Sequence, residues 1–495
     1  MTSSLTGRLT GGPARLLQEE ALAPQFAYDR RHLLTGYVRA EKALLAEYLR
    51  MGVLDADGAT TLARALDAVR PEDLDADPDA NLSDFAFALE GVVQAAADDV
   101  PAAWHVDRSR NDLQATAQLM FARRLLLDCA GACLAFGRTV LGAAAPLTDV
   151  PMPGYTHLQA AQVISPGFYL AALAGETLDA TRRMVAAYHD IDRCPLGAGA
   201  MAGQELDWDR GRLAALLGFA APVPHALTAV AGRGWHLALA GEWAALAVTL
   251  SRFTTDLMAW AGEAYGFLAL PDELAAISSA MPQKKNYPIF ERVRGRLGHV
   301  AALATDVFTG QRNTPYANSV EVGKEAGANL LAMADHLRSA LRLLGAAIDA
   351  AEWRHDRMWS ALGPTYIGGF ALANALCLRE ALPWRAAQVV AGRYVRAAME
   401  RGLPPDRPDV PLLRELAAGE GHRLTDPAAA LAALAPETAL SRWRGLGSAH
   451  PRRVDDLLTA QGGAFDGVEL DLARLRQADA RARTELDGLF GIGGG

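Results

Sequence analysis

Five stretches of this chain, roughly 110–145, 164–190, 229–268, 289–309 and 321–352, keep apolar residues at helical spacing for longer than a globular helix usually runs. A helix of some thirty residues spans about 45 Å. No compact pair of short helices can cover an apolar stripe of that length, so equally long helices must lie alongside it. Alanine and leucine dominate these stretches, and period-2 runs of β-branched residues are nearly absent. The expectation is an all-α protein built around a central bundle of long helices. Shorter helical patterns flank the bundle, with turn-rich stretches such as "RPEDLDADPDANLSD" before it and "RGLPPDRPDVP" after it. Three helical domains follow: 1–108, a central 109–363, and 364–495, where the helices are expected to shorten.

The 495 residues are 51% apolar and 21% charged, enough for a large core. A net charge of −9 argues against nucleic-acid or acidic-membrane partners, which need a basic face. The most apolar stretch, "LLLDCAGACLAFGRTVLGAAAPL", is interrupted by Asp128 and Arg138. The opening residues lack the apolar centre of a signal peptide, and the tail "GIGGG" offers nothing to pack. Cys129 and Cys133 lie one helical turn apart in an apolar stripe, and Cys194 and Cys377 stand alone, so buried thiols are expected rather than disulfides or a zinc site. A soluble, cytoplasmic protein is the expectation.

Polar residues gather in four loops beside the long helices. "HVDRSRND", 105–112, opens the first of them. Ser109 and Asn111 fit as caps, while Arg108 and Arg110 flank a helix start that would also receive a carboxylate. "MPGYTHLQ", 152–159, carries Thr156 and His157 ahead of the next helical run. "CPLGAGAMAG" is a Gly/Ala-rich loop whose backbone suits either a ligand or a tight turn. "SSAMPQKKNYP", 278–288, pairs two serines with Lys284, Lys285 and Asn286 between prolines. Singly, each has a plain reading as cap, turn or solvated surface.

Together they resemble one family. The fourth loop is similar to the "GSS-x-MP-x-K-x-N-P" signature of the fumarase/aspartase superfamily. With "RSRND", "MPGYTHLQ", "PLG-x-GA-x-AG", "AYDRR" at 27–31 and "LPWRAAQVVAGRYVRAAMERG" at 382–402, the set resembles argininosuccinate lyases along nearly the whole chain. The resemblance implies anti elimination of an N-succinyl adduct, with release of fumarate and an amine. It implies Ser278 as the base, Lys284 as a source of the positive field that ionises it, and His157 on the proton-donating side. Ser109, Thr156 and Asn286 would hold carboxylates, and Arg110, Asn111, Tyr316 and Lys324 match further substrate-contacting positions. It implies no metal and no organic cofactor. It also implies a homotetramer with D2 symmetry, each active site collecting loops from three chains.

The departures from the pattern are uneven. Ile277 replaces a glycine and Tyr287 a proline in the signature loop, and Val106 and Asp107 replace Thr-Gly. Gln25 stands where a substrate-contacting serine is usual. Ala86 and Leu89 replace a histidine and an asparagine, two acidic groups are gone from around Arg233, and Glu321 replaces a glutamine. The succinyl-handling residues stay; those near the amine are altered. A lyase with a leaving amine other than arginine is therefore expected, with an ordinary argininosuccinate lyase and a non-catalytic structural relative as alternatives. Glu321, one turn from Lys324, is expected to pair with it and to favour a cationic or strongly hydrogen-donating amine.

Overall fold

The computed structural model describes residues 11–97 and 99–492. Residues 1–10, part of the stretch read for a signal peptide, and the glycines at 493–495, expected to fray, lie outside the described residues. The chain is all-α apart from short two-stranded ladders.

The N-terminal part contains α1 (Ala23–His32), α2 (Leu34–Met51), α3 (Ala56–Ala68) and α4 (Phe85–Ala96). The central bundle follows as α5 (Arg110–Ala144), α6 (Pro166–Ile191), α7 (Gly234–Ala261), α8 (Pro288–Gln311) and α9 (Leu330–Asp349). Their starts are written in the sequence. Ser109 Oγ caps α5 and Ser165 Oγ caps α6, while Pro166 and Pro288 open α6 and α8 where a missing N–H costs nothing. Within the bundle Trp243, Tyr188 and Leu337 are fully or almost fully buried. Each such side chain contributes about 1.5–3 kcal/mol. Cys129 and Cys133 are fully buried in the same core. The segment Arg110–Leu147 is long and apolar enough to cross a membrane, but more than half of its most apolar window is buried inside the bundle.

Two of the expected long helices are interrupted. The pattern over 229–268 breaks at Gly232–Arg233, separating a six-residue turn of helix, Ala226–Ala231, from α7. The pattern over 321–352 begins with a π-helical turn, Glu321–Glu325, before α9.

Beyond the bundle, α10 (Gly369–Leu378), α11 (Trp384–Glu400) and α12 (Val410–Gly419) are short and enclose a small core of their own around Tyr394 and Leu413. The expected shortening ends there. The last helix, α13 (Pro451–Gly488), has 38 residues and packs along α5 and α6. Its Phe465 ring fills the space over Gly137, where a Cβ would lie 2.3 Å from the ring, so the helices approach as closely as a glycine permits. The helical run missed this because α13 is strongly charged on its outer face.

Candidate active site

At the start of α5, the Ser109 hydroxyl accepts the Asn111 N–H at 3.2 Å, and Asn111 Nδ2 donates to the Ala200 carbonyl at 3.0 Å. Behind them, the buried Asp112 carboxylate accepts the N–H groups of Gly197 (2.9 Å) and Gly199 (3.0 Å). Burial pushes this carboxyl up to about 6 against the pull of those amides. Both glycines have positive φ, so the Gly/Ala-rich loop is a tight turn wrapped on Asp112 that fixes the α5 start. Arg110 projects outward, paired with Asp84 and lying 4.5 Å from the Phe87 ring centroid. Arg108, expected beside an incoming carboxylate, instead buries its guanidinium against Glu41. A charge sunk in the core and already neutralised leaves nothing for a ligand.

Asp107 accounts for one departure. It has φ of +56°, a left-handed conformation that suits glycine and is tolerated by aspartate. Its carboxylate accepts the N–H groups of Glu205 (3.0 Å) and Leu206 (2.8 Å) and the Trp208 indole (2.9 Å). Burial alone would raise its pKa, but these donors hold it below the usual carboxylate range.

Close to the α5 start lies a second group. Gln25 Nε2 donates to Asp29 Oδ1 at 2.7 Å, and Lys324 Nζ lies 3.3 Å from Asp29 Oδ2. Asp29 is 1% exposed. Burial raises its pKa, and Lys324 and Gln25 pull it back. Gln118 of α5 donates to the carbonyl of Gly323, next to Lys324, which places this network beside the first turns of α5. Lys324 therefore pairs with Asp29 and not with the exposed Glu321. The reason is the π turn: with bonds closing five residues apart, residues three apart no longer share a face. Tyr316 is exposed, its hydroxyl 3.5 Å from Thr228 Oγ1.

Arg233, expected to contact substrate, is 3% exposed and donates to the Val230 and Gly232 carbonyls at 3.0 Å each. Burial lowers its pKa to about 10. Leu89, expected near the amine, is 2% exposed within the N-terminal core, so that departure is a packing change.

The remaining site residues lie elsewhere. Thr156 and His157 sit not in a helical lead-in but at the tip of an antiparallel hairpin, β1 (Met152–Thr156) with β2 (Gln159–Ile164). His157 and Leu158, with φ of +53° and +60°, make the two-residue turn, and both are exposed. The signature loop is likewise a small hairpin, β3 (Ala276–Ile277) with β4 (Lys285–Asn286). Ser278 Oγ accepts the Met281 N–H at 3.1 Å, and Lys285 is tied to Asp272 (2.7 Å) and the Leu270 carbonyl (2.8 Å). Lys284 is exposed. Ile277 lies in extended β3 without positive φ, so the position does not need glycine.

The two hairpins stand at the same end of the bundle, Tyr155 packing on Tyr265 just past α7. Arg233, Tyr316 and Lys324 stand at the other end, around the start of α7 and beyond the end of α8. The 28 residues of α7 separate these ends by about 42 Å. One chain does not bring Ser278 and His157 to Asn111 and Lys324.

A model of the lyase family matches residues 59–302. The argininosuccinate lyase of Thermus thermophilus is 32% identical over 82% of this chain and 87% of its own length. That of Natronomonas pharaonis is 30% identical over 97% of this chain and 94% of its own. The chain belongs to the fumarase/aspartase superfamily, in its argininosuccinate lyase-like group. Among solved structures, EDDS lyase in complex with formate superposes with a TM-score of 0.83 at 25% identity, over 97% of this chain and 96% of that one. This superfamily member is a carbon–nitrogen lyase that releases fumarate.

Sequence reading passed over Asp29, although "AYDRR" contains it, because a lone carboxylate on a helix gives no sign of being buried. Asp112, in "RSRND", was missed in the same way.

Proposed function

We propose that this lyase splits an N-succinyl adduct into fumarate and an amine other than arginine, as a homotetramer with sites shared between subunits. The observation that carries the reading is the Gln25–Asp29–Lys324 network. Lys324 and Asp29 both stand in the argininosuccinate lyase pattern, and what differs around them is Gln25 and Glu321. Gln25 turns its amide onto the same carboxylate, and Glu321 adds an exposed negative charge close by. A leaving amine with its own carboxylate, as arginine has, meets at Glu321 a negative charge where the pattern has a neutral glutamine. An amine without one loses nothing.

On the succinyl side, Ser109 and Asn111 at the α5 N-terminus offer donors and a helix dipole to a carboxylate. Thr156, Asn286 and Lys284 would come from the hairpins of other subunits. Ser278 Oγ takes the proton from the carbon beside the retained carboxylate, and the electron pair forms the double bond as the C–N bond breaks. The nitrogen leaves with its electron pair and gains a proton from the His157 side. The Met281 N–H on Ser278 Oγ helps hold negative charge there, and the exposed Lys284 supplies a positive field when the loop closes on substrate. The distance supports sharing: catalytic loops about 42 Å apart along one α7 would come together where copies pair antiparallel, as in the tetramer the resemblance implies.

The test is fumarate absorbance on incubation with a set of succinyl adducts, argininosuccinate among them. Turnover of several adducts with argininosuccinate the slowest supports the reading. Argininosuccinate as the best substrate returns the protein to ordinary argininosuccinate lyase activity.

A further inference from the structure

Beside Lys324 a cavity of about 310 Å³ runs inward between α1, α5, α7 and the start of α9. Its body is apolar, formed by Phe121, Leu125, Trp235, Leu239 and Leu330. Gln25 and Lys324 stand in its wall, so it opens from the amine half of the site described above. The α5 helix provides a ruler. Asn111, Gln118 and Leu125 recur every seven residues, on one face, about 10 Å apart. The succinyl end lies at Asn111, the cavity begins at Gln118, and Leu125 lies deeper.

Two polar side chains, Gln118 and His236, stand in the wall beyond Gln25 and Lys324. Gln118 donates Nε2 to the Gly323 carbonyl, and its Oε1 is buried with no partner. His236 is 3% exposed, and its Nδ1 lies 3.1 Å from Gln311 Nε2. The Gln311 amide donates, so Nδ1 accepts and the ring proton sits on Nε2. Gly327 leaves Nε2 its room: a Cβ there would lie 2.6 Å from it. Burial, with Arg233 close by, lowers His236 to about 3, so the ring is neutral at any physiological pH. Glu20 and Glu325 are exposed, at the mouth of the cavity; farther in, it presents one unused acceptor and one N–H donor.

From this cavity, and resting on the reading of a non-arginine amine, we infer that the leaving amine carries an uncharged, elongated, mainly apolar tail ending in one hydroxyl or carboxamide. The tail passes Lys324 and packs against Phe121 and Trp235. Its terminal group donates to Gln118 Oε1 and accepts from His236 Nε2. A charge at the inner end of the tail would lie past Glu20, Glu325 and Lys324, among apolar side chains and without a counterion, and a short amine would leave the apolar wall unfilled. Gln118 and His236 are then specificity-determining residues for the reaction.

The reverse reaction tests it. The intact enzyme is given fumarate with butylamine, phenylbutylamine, its para-hydroxyl derivative or arginine, and adducts are followed by mass spectrometry. Phenylbutylamine should add at least about tenfold faster than butylamine, and the hydroxyl derivative faster again. Ala122→Phe, which fills the cavity, should remove that advantage and leave the butylamine rate in place. Should Ala122→Phe fold poorly, Ala328→Trp narrows the same cavity from an exposed position. Phenylbutanol, which cannot react, should raise the melting temperature of the wild type and not of the filled variant. Equal rates for butylamine and phenylbutylamine, or no shift with phenylbutanol, would overturn the cavity assignment and leave the non-arginine reading standing. Cleavage of argininosuccinate with no adduct from any other amine would overturn both.

Discussion

Replacing Lys324 by methionine should destabilise the folded protein by about 3 kcal/mol near pH 7.5. Asp29 is 1% exposed and lies 3.3 Å from the ammonium. A unit pair at that distance is worth about 5 kcal/mol at an effective dielectric of about 20. The Lys324 side chain is 27% exposed, so water screens part of this, and the lower end of the range for stranding a buried charge applies. The pH dependence gives the argument its sign. Burial already holds the Asp29 carboxyl above its ordinary value, and losing Lys324 removes the strongest opposing influence. A carboxyl raised on folding adds stability that is present below its unfolded pKa, near 3.9, and is lost as pH rises through the folded value. The deficit of Lys324→Met should therefore be largest near neutrality and close as pH falls toward 4. Asp29→Asn in the same background should recover most of the loss, since an amide carries no charge to strand. Urea midpoints at fixed protein concentration measure all three proteins. A Lys324→Met variant as stable as wild type at pH 7.5, or one that Asp29→Asn does not rescue, refutes the reasoning.

Ser278→Ala should lower kcat by at least about a thousandfold with little change in KM, because the hydroxyl acts in the transition state; near-normal steady-state turnover removes Ser278 from the role. Inactive His157→Ala and Ser278→Ala subunits, mixed under conditions of verified exchange, should regain partial activity if their loops serve common sites, and a mixture that stays inert counts against sharing. Argininosuccinate should be cleaved about a hundredfold less efficiently than the true substrate, a gap of about 2.7 kcal/mol, and Glu321→Gln should narrow it by weakening the native reaction. Side-by-side kcat/KM values decide. Asp107→Ala should lower stability by about 2 kcal/mol, through a left-handed alanine and three lost acceptor contacts, measured by urea denaturation.

The long helices were legible because a 3.6-residue apolar period sustained over twenty or more positions has no other physical reading. The cap at Ser109 was legible because a serine ahead of an apolar run is itself a local signal. Cys129 and Cys133 were placed in the core by spacing alone. What sequence did not disclose was non-local. The hairpin that presents His157 depends on two left-handed residues without glycine, and α13 hides a bundle-facing stripe among many charges. Pairing was the least visible. Lys324 looked set to meet Glu321 one turn away, and a π turn sent it to Asp29, 295 positions earlier. Leu89 looked like a pocket residue because of where it falls in a motif, and burial made it part of the core.

The bonds around Asp107 bear on how this chain can change over evolutionary time. A position that began as glycine would accept an aspartate at small cost, since both tolerate the left-handed turn. With the Leu206 N–H and the Trp208 indole now held by that carboxylate, the reverse change costs more than conformation alone. A glycine here would leave the part-buried Leu206 N–H and Trp208 indole N–H without their acceptor. Those neighbours depend on the side chain that stands there. A chain walked residue by residue toward its relatives should therefore stall at Asp107 until the 204–208 segment has been changed first, and the order of the steps would decide which intermediates fold.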